Sequence, residues 1–264
     1  MYNDKLLSKT QEFPCIKDMF GINTPCVIAG PCAFENYEQA DMIAQNLVRN
    51  RINLMRGGLF KPRTSQYNFQ GLGHDGLEII NCIRKKYGLR IVTEILDVRD
   101  VEIGLTHSDV IQIGSRNMFN TPLLKEVGRT QHPVLLKRGM MATLTEFMFA
   151  VEYIINEGNK NIIMCERGVR TFENSVRNLI DISSIAIIKQ ETSLPVIVDL
   201  SHSLGNRKDI LQPIAKAMVA LGVDGLMVEV HNNPKEALSD SEQQLSLKEF
   251  DIFLSSTEKL LNIT

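Results

Sequence analysis

The chain has 264 residues, of which 44% are hydrophobic and 23% charged, an ordinary balance for a globular protein with a sizeable core. Its formal net charge of −2 argues against general nucleic-acid binding, and it has no apolar run of about 18 residues that would suggest a membrane span. Residues 1–13 lack the apolar core of a secretory signal, and five cysteines are an odd number for a disulfide framework. We therefore expect a compact cytoplasmic protein with reduced thiols.

Short apolar runs alternate with helix-like segments along the chain. The runs read as strands are 26–29, 52–55, 90–93, 109–113, 133–136, 161–164, 195–198 and 225–228. The predicted helices are 37–50, 76–87, 98–105, 123–130, 143–157, 175–191, 210–221 and 247–261.

This alternation predicts an α/β fold. Continuous apolar runs indicate a parallel sheet that is buried on both faces, and its natural closed form is the (β/α)8 TIM barrel. An open doubly wound sheet is the alternative, but the GxGxxG sequence after the first strand is missing. We predict a single-domain catalytic barrel over residues 27–264. Residues 1–26 would form a short N-terminal extension, either a hairpin or an arm.

Every predicted strand ends in polar or reactive residues. In a barrel these ends meet at one rim, where active sites lie, so the pattern predicts an enzyme. The cations at the rim are Arg56, Lys61, Arg63, Arg116, Lys137, Arg138, Arg167 and Arg170. Because so many cations would repel one another in an empty site, we expect ligands that carry several negative charges. Two phosphorylated substrates, or one phosphate and one carboxylate, would supply them.

Some of these cations have candidate partners within the rim itself. Arg138 and Arg170 are the two that we expect to form ion pairs, with the available carboxylates being Glu94, Glu166 and Asp199. Lys137 also raises Schiff-base chemistry of the kind used by barrel aldolases. An anion contact by Lys137 fits its cationic neighbours at least as well.

A second set of reactive side chains comprises Cys32, His202, Glu229 and Asp240. Thiolate, imidazole and carboxylate together suit a divalent transition metal. Their spacing in the sequence is wide, but the first and last strands of a closed barrel are neighbours. A buried structural cysteine and a surface histidine are the alternative interpretation.

Seven motifs at these strand ends resemble one known family. They are GPCAFEN (30–36), RGGLFKPRTSQYNFQGLG (56–73), IGSRNM (113–118), LLKRG (135–139), CERGVRTFE (165–173), DLSH (199–202) and MVEVHNNPKEALSD (227–240). Together they resemble 3-deoxy-D-arabino-heptulosonate 7-phosphate (DAHP) synthase, in the short type I form that is related to 3-deoxy-manno-octulosonate 8-phosphate (KDO8P) synthase. The KPRTS stretch is typical of the erythrose 4-phosphate enzymes, and Cys32 fits a metal-dependent member. Leu200, Ala33 and Gln66 depart from the usual residues but remove no candidate ligand.

The resemblance implies a transferase that condenses phosphoenolpyruvate (PEP) with erythrose 4-phosphate at the start of the shikimate pathway. It assigns the PEP phosphate to Arg116 and Arg167 and the PEP carboxylate to Arg56, Lys61 and Lys137. Arg63 and Thr64 would hold the aldose phosphate, and Pro62 and Ser115 complete the predicted substrate contacts. Lys61, Glu94 and His202 are the predicted catalytic residues. The predicted metal ligands are Cys32, His202, Glu229 and Asp240, with Mn²⁺ expected and Fe²⁺, Zn²⁺ or Co²⁺ as alternatives.

Two other functions remain open at this point. A KDO8P synthase would use arabinose 5-phosphate, and a non-catalytic barrel would only bind phosphorylated metabolites. The resemblance also implies a homodimer or homotetramer, without nucleic-acid or membrane partners. The predicted extension, residues 1–26, is too short for the regulatory domains of longer relatives, so we expect a bare catalytic barrel.

Overall fold

The computed structural model describes residues 7–63 and 65–261. Thr64, one of the predicted phosphate contacts, lies outside these residues. The strands within them are β1 (Cys26–Gly30), β2 (Leu54–Arg56), β3 (Arg90–Ile95), β4 (Val110–Ile113), β5 (Val134–Lys137), β6 (Ile162–Glu166), β7 (Val196–Asp199), β8 (Gly225–His231) and β9 (Leu245–Ser246).

The first eight strands form a closed parallel barrel. They pair in chain order, and β1 also pairs with β8, so that Cys26 lies opposite Gly225 and Gly30 opposite Glu229. The short strand β9 extends the pairing of β8 beyond the barrel. The predicted (β/α)8 TIM barrel is therefore confirmed.

Helices precede, connect and follow the strands, and most of them cover the outside of the barrel. They are α1 (Ile16–Phe20), α2 (Tyr37–Arg49), α3 (Leu77–Tyr87), α4 (Val101–His107), α5 (Thr121–Gly128), α6 (Leu144–Asn156), α7 (Ile182–Glu191), α8 (Leu200–Leu204), α9 (Leu211–Ala220) and α10 (Leu247–Leu261). Single 3-10 turns occupy Gly73–Gly76, Val98–Asp100, Ser115–Asn117, Lys208–Ile210 and Pro234–Glu236. No helix in the described part of the chain has the length and apolarity needed to cross a membrane.

Local sequence signals explain where these helices begin. Helix α6 starts at a capping box, in which the Thr143 hydroxyl accepts from the Glu146 amide while the Glu146 carboxylate accepts from the Thr143 amide. The Asn36 side chain caps α2 in the same way by accepting from the Gln39 amide. Both helices then turn an apolar face toward the barrel.

The barrel interior is layered because side chains alternate along each strand. One interior layer is apolar and includes Ile28, Leu54, Val92, Val110, Leu135, Cys165, Ile197 and Met227. Two residues further along each strand, the chain again faces inward, now at the carboxyl end. The residues at these positions are Gly30, Arg56, Glu94, Gln112, Lys137, Arg167, Asp199 and Glu229. Seven of the eight are polar, so one ring of the barrel is built of charges and amides.

The predicted strand ends and the start of one helix differ most clearly from the structure. Most strands run one to three residues further than predicted, because their terminal charged residues continue the ladder and point into the barrel mouth. The predicted helix 175–191 begins only at Ile182, where the Asp181 side chain caps it by accepting from the Ser184 amide. The preceding residues form a long loop over the rim, held by an isolated bridge between Val169 and Leu179.

The N-terminal segment closes the barrel floor. Ile16 and Phe20 of α1 are 0% and 6% exposed, and both belong to the interior cluster that contains Ile28 and Leu54. We expect the substitution Phe20→Ala to lower the free energy of unfolding by about 3–5 kcal/mol, the usual cost of removing a buried phenylalanine side chain. Urea denaturation followed by circular dichroism measures this change. The control is Phe172→Ala at a fully exposed phenylalanine, which should have little effect, and equal losses in both variants would contradict the assigned packing.

Candidate active site

A cavity of about 320 Å³ opens at the carboxyl end of the barrel. Among the described residues, eight cations and two carboxylates, Glu94 and Asp240, line it. The described residues that we predicted as substrate contacts all lie in its wall, namely Arg56, Lys61, Pro62, Arg63, Ser115, Arg116, Lys137 and Arg167. The structure therefore brings together cations that are distributed over more than 100 residues of sequence.

Two of the cavity cations are held by buried carboxylates. Lys137 Nζ donates to Asp199 Oδ2 at 2.5 Å, and Arg56 Nη1 donates to Glu229 Oε1 at 2.9 Å and to the Pro31 carbonyl at 2.5 Å. Both carboxylates are fully buried. These pairs fix the lysine and arginine heads at the mouth of the barrel while leaving further N–H groups for a ligand.

Of the two expected rim ion pairs, one is confirmed and one is wrong. Arg138 Nη1 contacts Glu166 Oε2 at 2.9 Å and Asp181 Oδ2 at 3.0 Å, and Arg138 does not line the cavity. Arg170 instead lines the cavity and forms no ion pair with a carboxylate of the described residues. The reason is geometric: Asp181, the cap of α7, lies next to Arg138 and supplies its second partner.

Arg116 and Arg167 face the cavity without a carboxylate partner among the described side chains. Arg167 is 4% exposed, and its Nη1 donates only to the neighbouring Gly168 carbonyl at 3.3 Å. Burial lowers the pKa of its guanidinium below the ordinary value. A buried cation without a counter-ion is unfavourable, so this position is suited to an anionic ligand.

Glu94 is one of the carboxylates that line the cavity. It is buried, it accepts from the Gln112 amide at 3.2 Å, and its burial raises the pKa of the carboxyl group even though Lys61 and Lys137 act in the other direction. The Glu94 side chain requires glycine at position 114, because a Cβ atom there would lie 1.9 Å from Glu94 Oε1. A carboxyl group with a raised pKa in a cleft is a candidate for proton transfer.

The loop after β2 carries the next cations. Lys61 Nζ lies 3.6 Å and Arg63 Nη1 4.0 Å from Asp240 Oδ2. The loop is closed by a backbone hydrogen bond from Lys61 to Gln70 at 2.7 Å. Burial opposes the charge on Asp240, but the nearby Lys61 lowers the pKa of this carboxyl below its usual range.

Three predicted metal ligands form a compact group beside the cavity. One ligand atom each from Cys32, Glu229 and Asp240 lies within 4.8 Å of the others, and Cys32 Sγ lies 3.0 Å from Asp240 Oδ2. Burial raises the pKa of the Cys32 thiol to about 12, and the Glu229 carboxylate adds to this rise. A divalent cation reverses this preference and favours the thiolate, so the donor set fits such an ion.

The fourth predicted ligand, His202, stands next to this group. Its Nε2 lies 3.8 Å from Glu229 Oε1, while Nδ1 faces Asp199 Oδ2 at 2.8 Å. A carboxylate can only accept, so Nδ1 carries the hydrogen and Nε2 presents a lone pair. Burial also lowers the pKa of His202 below its ordinary value, although the Asp199 carboxylate acts in the other direction. A histidine oriented by a carboxylate in this way is typical of metal ligands.

The sequence interpretation missed several residues at the site. Arg177 lines the cavity with Asn178, whose side-chain amide donates to the His202 carbonyl at 2.7 Å. Both lie in the segment that we predicted as the start of a helix. Gln112 was read only as part of a strand. Because every second side chain of a strand faces the same way, continuing this alternation to the end of β4 would have placed Gln112 among the polar residues inside the barrel.

A model of the DAHP synthetase I family matches residues 8–263 of the chain. The chain belongs to this family. Among similar proteins, the phospho-2-dehydro-3-deoxyheptonate aldolase of Thermotoga maritima is 47% identical over 234 residues, which cover 89% of this chain and 69% of that protein. The 2-dehydro-3-deoxyphosphooctonate aldolase of Syntrophotalea carbinolica is 33% identical over 246 residues, which cover 86% of this chain and 88% of that protein.

Solved structures of family members have the same fold. The crystal structure of the Thermotoga maritima DAHP synthase matches with a TM-score of 0.86 and 45% identity, covering 90% of this chain and 69% of that one. A truncated form of the same Thermotoga enzyme matches with a TM-score of 0.82 and 42% identity, covering 90% of this chain and 86% of that one. The family resemblance seen in the motifs is thus confirmed over most of the chain.

Proposed function

We propose that this barrel is a metal-dependent DAHP synthase, a transferase that condenses PEP with erythrose 4-phosphate and water to give DAHP and inorganic phosphate. Family membership and the 47% identity to the Thermotoga enzyme support this activity. The observation that carries it is the cavity itself, in which eight cations face two carboxylates. Such an excess of positive charge matches two substrates that each bear a phosphate, one of them with a carboxylate as well.

The proposed substrate contacts follow the distribution of charge in the cavity. Arg116 and Arg167, which lack carboxylate partners in the described structure, would hold the PEP phosphate with Ser115. Arg56, Lys61 and Lys137 would hold the PEP carboxylate. Pro62, Arg63 and Thr64 would contact the phosphate of the aldose.

The reaction forms a carbon–carbon bond and a carbon–oxygen bond to water, and it breaks the bond between C2 of PEP and its phosphate oxygen, so that the oxygen from water becomes the carbonyl oxygen of the product. C3 of PEP attacks the aldehyde carbon, and Lys61 delivers a proton to the developing alkoxide oxygen. Water adds at C2 of PEP, where positive charge develops, and inorganic phosphate then leaves from that carbon. Glu94 would accept the proton of this water, a role that suits a carboxyl group whose pKa is raised by burial.

Cys32, His202, Glu229 and Asp240 would hold the divalent metal ion. When bound, the ion supplies a Lewis acid that polarises the aldehyde carbonyl. The four ligands would place the aldehyde carbonyl near Lys61 and Arg63, because both of these side chains lie within 4.0 Å of Asp240 Oδ2. The mixture of one thiolate, one imidazole and two carboxylates suits a divalent transition metal, for which Mn²⁺ is expected and Fe²⁺, Zn²⁺ or Co²⁺ are the alternatives.

Two other reactions are less well supported. The identity of 33% to an octulosonate enzyme keeps arabinose 5-phosphate as the alternative aldose, but KPRTS at 61–65 favours erythrose 4-phosphate. Schiff-base chemistry on Lys137 requires a free amine, whereas Lys137 Nζ is engaged by the buried Asp199 carboxylate at 2.5 Å. The five cysteines are free thiols, which supports the proposed cytoplasmic setting. The oligomeric state, a homodimer or a homotetramer, remains a prediction.

The function is tested by PEP consumption of the purified, chelator-stripped protein. Erythrose 4-phosphate and arabinose 5-phosphate are supplied separately, each with and without Mn²⁺. We expect turnover with erythrose 4-phosphate that depends on added metal. Preference for arabinose 5-phosphate would assign the chain to the octulosonate reaction, and turnover that is insensitive to chelation would exclude the metal mechanism. An absence of turnover with either sugar would favour the alternative of a non-catalytic barrel that only binds phosphorylated metabolites.

A further inference from the structure

The segment that follows Asp240 turns back and pairs with the end of β8 within five residues. Asp240 has a positive φ of 46°, and its carbonyl accepts from the Gln243 amide at 3.3 Å. Strand β9 follows directly and pairs in parallel with the end of β8, so that Leu245 lies opposite Val230. The two residues between this turn and β9 are Gln243 and Gln244, which are 4% and 0% exposed.

Gln244 joins two distant parts of the proposed metal site. Its Oε1 accepts from the Cys32 backbone amide at 3.0 Å, and its Nε2 donates to the Ser239 carbonyl at 2.8 Å. Cys32 follows β1, and Ser239 immediately precedes Asp240. One buried amide therefore sets the position of the thiol relative to the loop that carries the Asp240 carboxylate.

Gln243 fixes the third member of the group. Its Nε2 donates to Glu229 Oε2 at 2.5 Å, and its Oε1 accepts from the guanidinium of Arg177. The other oxygen of Glu229 accepts from Arg56 at 2.9 Å. Each carboxylate oxygen thus has its own donor, so the plane of the Glu229 carboxylate is fixed. The Arg177 contact also fixes which way the Gln243 amide faces.

From these contacts we propose that Gln243 and Gln244 form a clamp that positions Cys32, Glu229 and Asp240 for metal binding. The inference rests on the proposed metal-dependent function. The two glutamines are positioning residues, because neither lines the active-site cavity in the described part of the chain. Ligand groups have to be held within about 0.5 Å of their working geometry, and hydrogen bonds behind them supply that restraint.

The clamp is tested by titrating chelator-stripped protein with Co²⁺ alone. Binding is followed by the charge-transfer absorption that a cysteine thiolate gives with bound Co²⁺. In Gln244→Met, which keeps the side-chain length and removes both hydrogen bonds, we expect Co²⁺ affinity to fall by about 10-fold to 100-fold. The thiolate absorption per bound Co²⁺ should also fall, because Cys32 has lost its restraint.

Gln243→Met tests the other half of the clamp and keeps the test informative if Gln244→Met does not fold. It should weaken Co²⁺ binding by a similar factor but leave the thiolate absorption per bound ion unchanged, since Gln244 still holds Cys32. The matched control is Asn159→Leu, which removes a fully buried amide that donates to the Val127 and His132 carbonyls, away from the site. This control should lose stability and keep the wild-type Co²⁺ affinity.

The possible results separate the clamp from the metal site itself. If wild-type protein gives no thiolate absorption with Co²⁺, Cys32 is not a metal ligand, and both the proposed site and the clamp are wrong. If the wild type gives the absorption and both glutamine variants bind Co²⁺ as tightly as Asn159→Leu does, the metal site stands and the clamp is refuted.

Discussion

Replacing Arg167 with methionine is expected to stabilise the substrate-free protein and, at the same time, to remove most of its use of PEP. The free guanidinium is 4% exposed and has no carboxylate partner among the described residues, so its removal relieves an unfavourable buried charge. In the complex the same group would face the PEP phosphate. Truncating one partner of a buried charge pair costs about 2–5 kcal/mol, which corresponds to a fall in kcat/KM for PEP of about 30-fold to 5,000-fold.

The neighbouring Arg138 provides a matched comparison with the opposite sign. It is also buried, but Glu166 and Asp181 both contact it, so Arg138→Met leaves two carboxylates without their cation and should lower the melting temperature. Both variants are compared by thermal unfolding in a phosphate-free buffer and again with added inorganic phosphate. Phosphate should raise the melting temperature of the wild type by more than that of Arg167→Met, which keeps Arg116 and the separate proposed site at Arg63. Unchanged PEP kinetics in Arg167→Met, or a destabilisation equal to that of Arg138→Met, would contradict the assignment.

Replacing Lys137 with methionine is expected to damage both stability and activity. Asp199 is fully buried, and Lys137 Nζ contacts it at 2.5 Å, so the variant leaves a buried carboxylate whose remaining side-chain partner in the described part of the chain is His202. Breaking a buried pair from one side costs about 3–5 kcal/mol, measured as the free energy of unfolding in urea. PEP turnover should fall below detection, because the proposed carboxylate contact is lost as well.

The double variant Lys137→Met with Asp199→Asn separates these two effects. Asparagine removes the uncompensated charge, so most of the lost stability should return, while PEP turnover should not. A double variant that remains as unstable as the single variant would mean that the ion pair is not the source of the loss. Recovery of turnover in the double variant would show that Lys137 does not contact the substrate.

The barrel and most of its rim were predictable because the signals are local. Each strand is an apolar run. The end of such a run can be identified from the sequence alone, without knowing which elements pack against the strand. The cations at 56, 61, 116, 137 and 167 and the proposed metal ligands at 32, 229 and 240 could therefore be assigned to the same rim. The strand ends were placed too early because a charged residue looks like the end of a buried strand, whereas in a barrel mouth it continues the strand.

What the sequence could not show depends on contacts between distant residues. Nothing near Arg138 or Arg170 indicates which one finds a carboxylate, because the deciding residue is Asp181, the cap of a helix whose start was predicted too early. Likewise, Gln244 acquires its role only through Cys32, which lies 212 residues away. Glutamine is common on protein surfaces, so residue type alone gives no signal for such a position.

The proposed metal ligands lie across the seam at which the barrel closes. Cys32 follows the first strand and Asp240 the last, and the two are separated by 208 residues although their side chains are 3.0 Å apart. During synthesis, therefore, a growing chain cannot assemble the group until nearly all of the barrel has been made. If these residues hold the ion as proposed, the complete set of ligands exists only in a finished barrel, so the ion would be bound after folding and not during it.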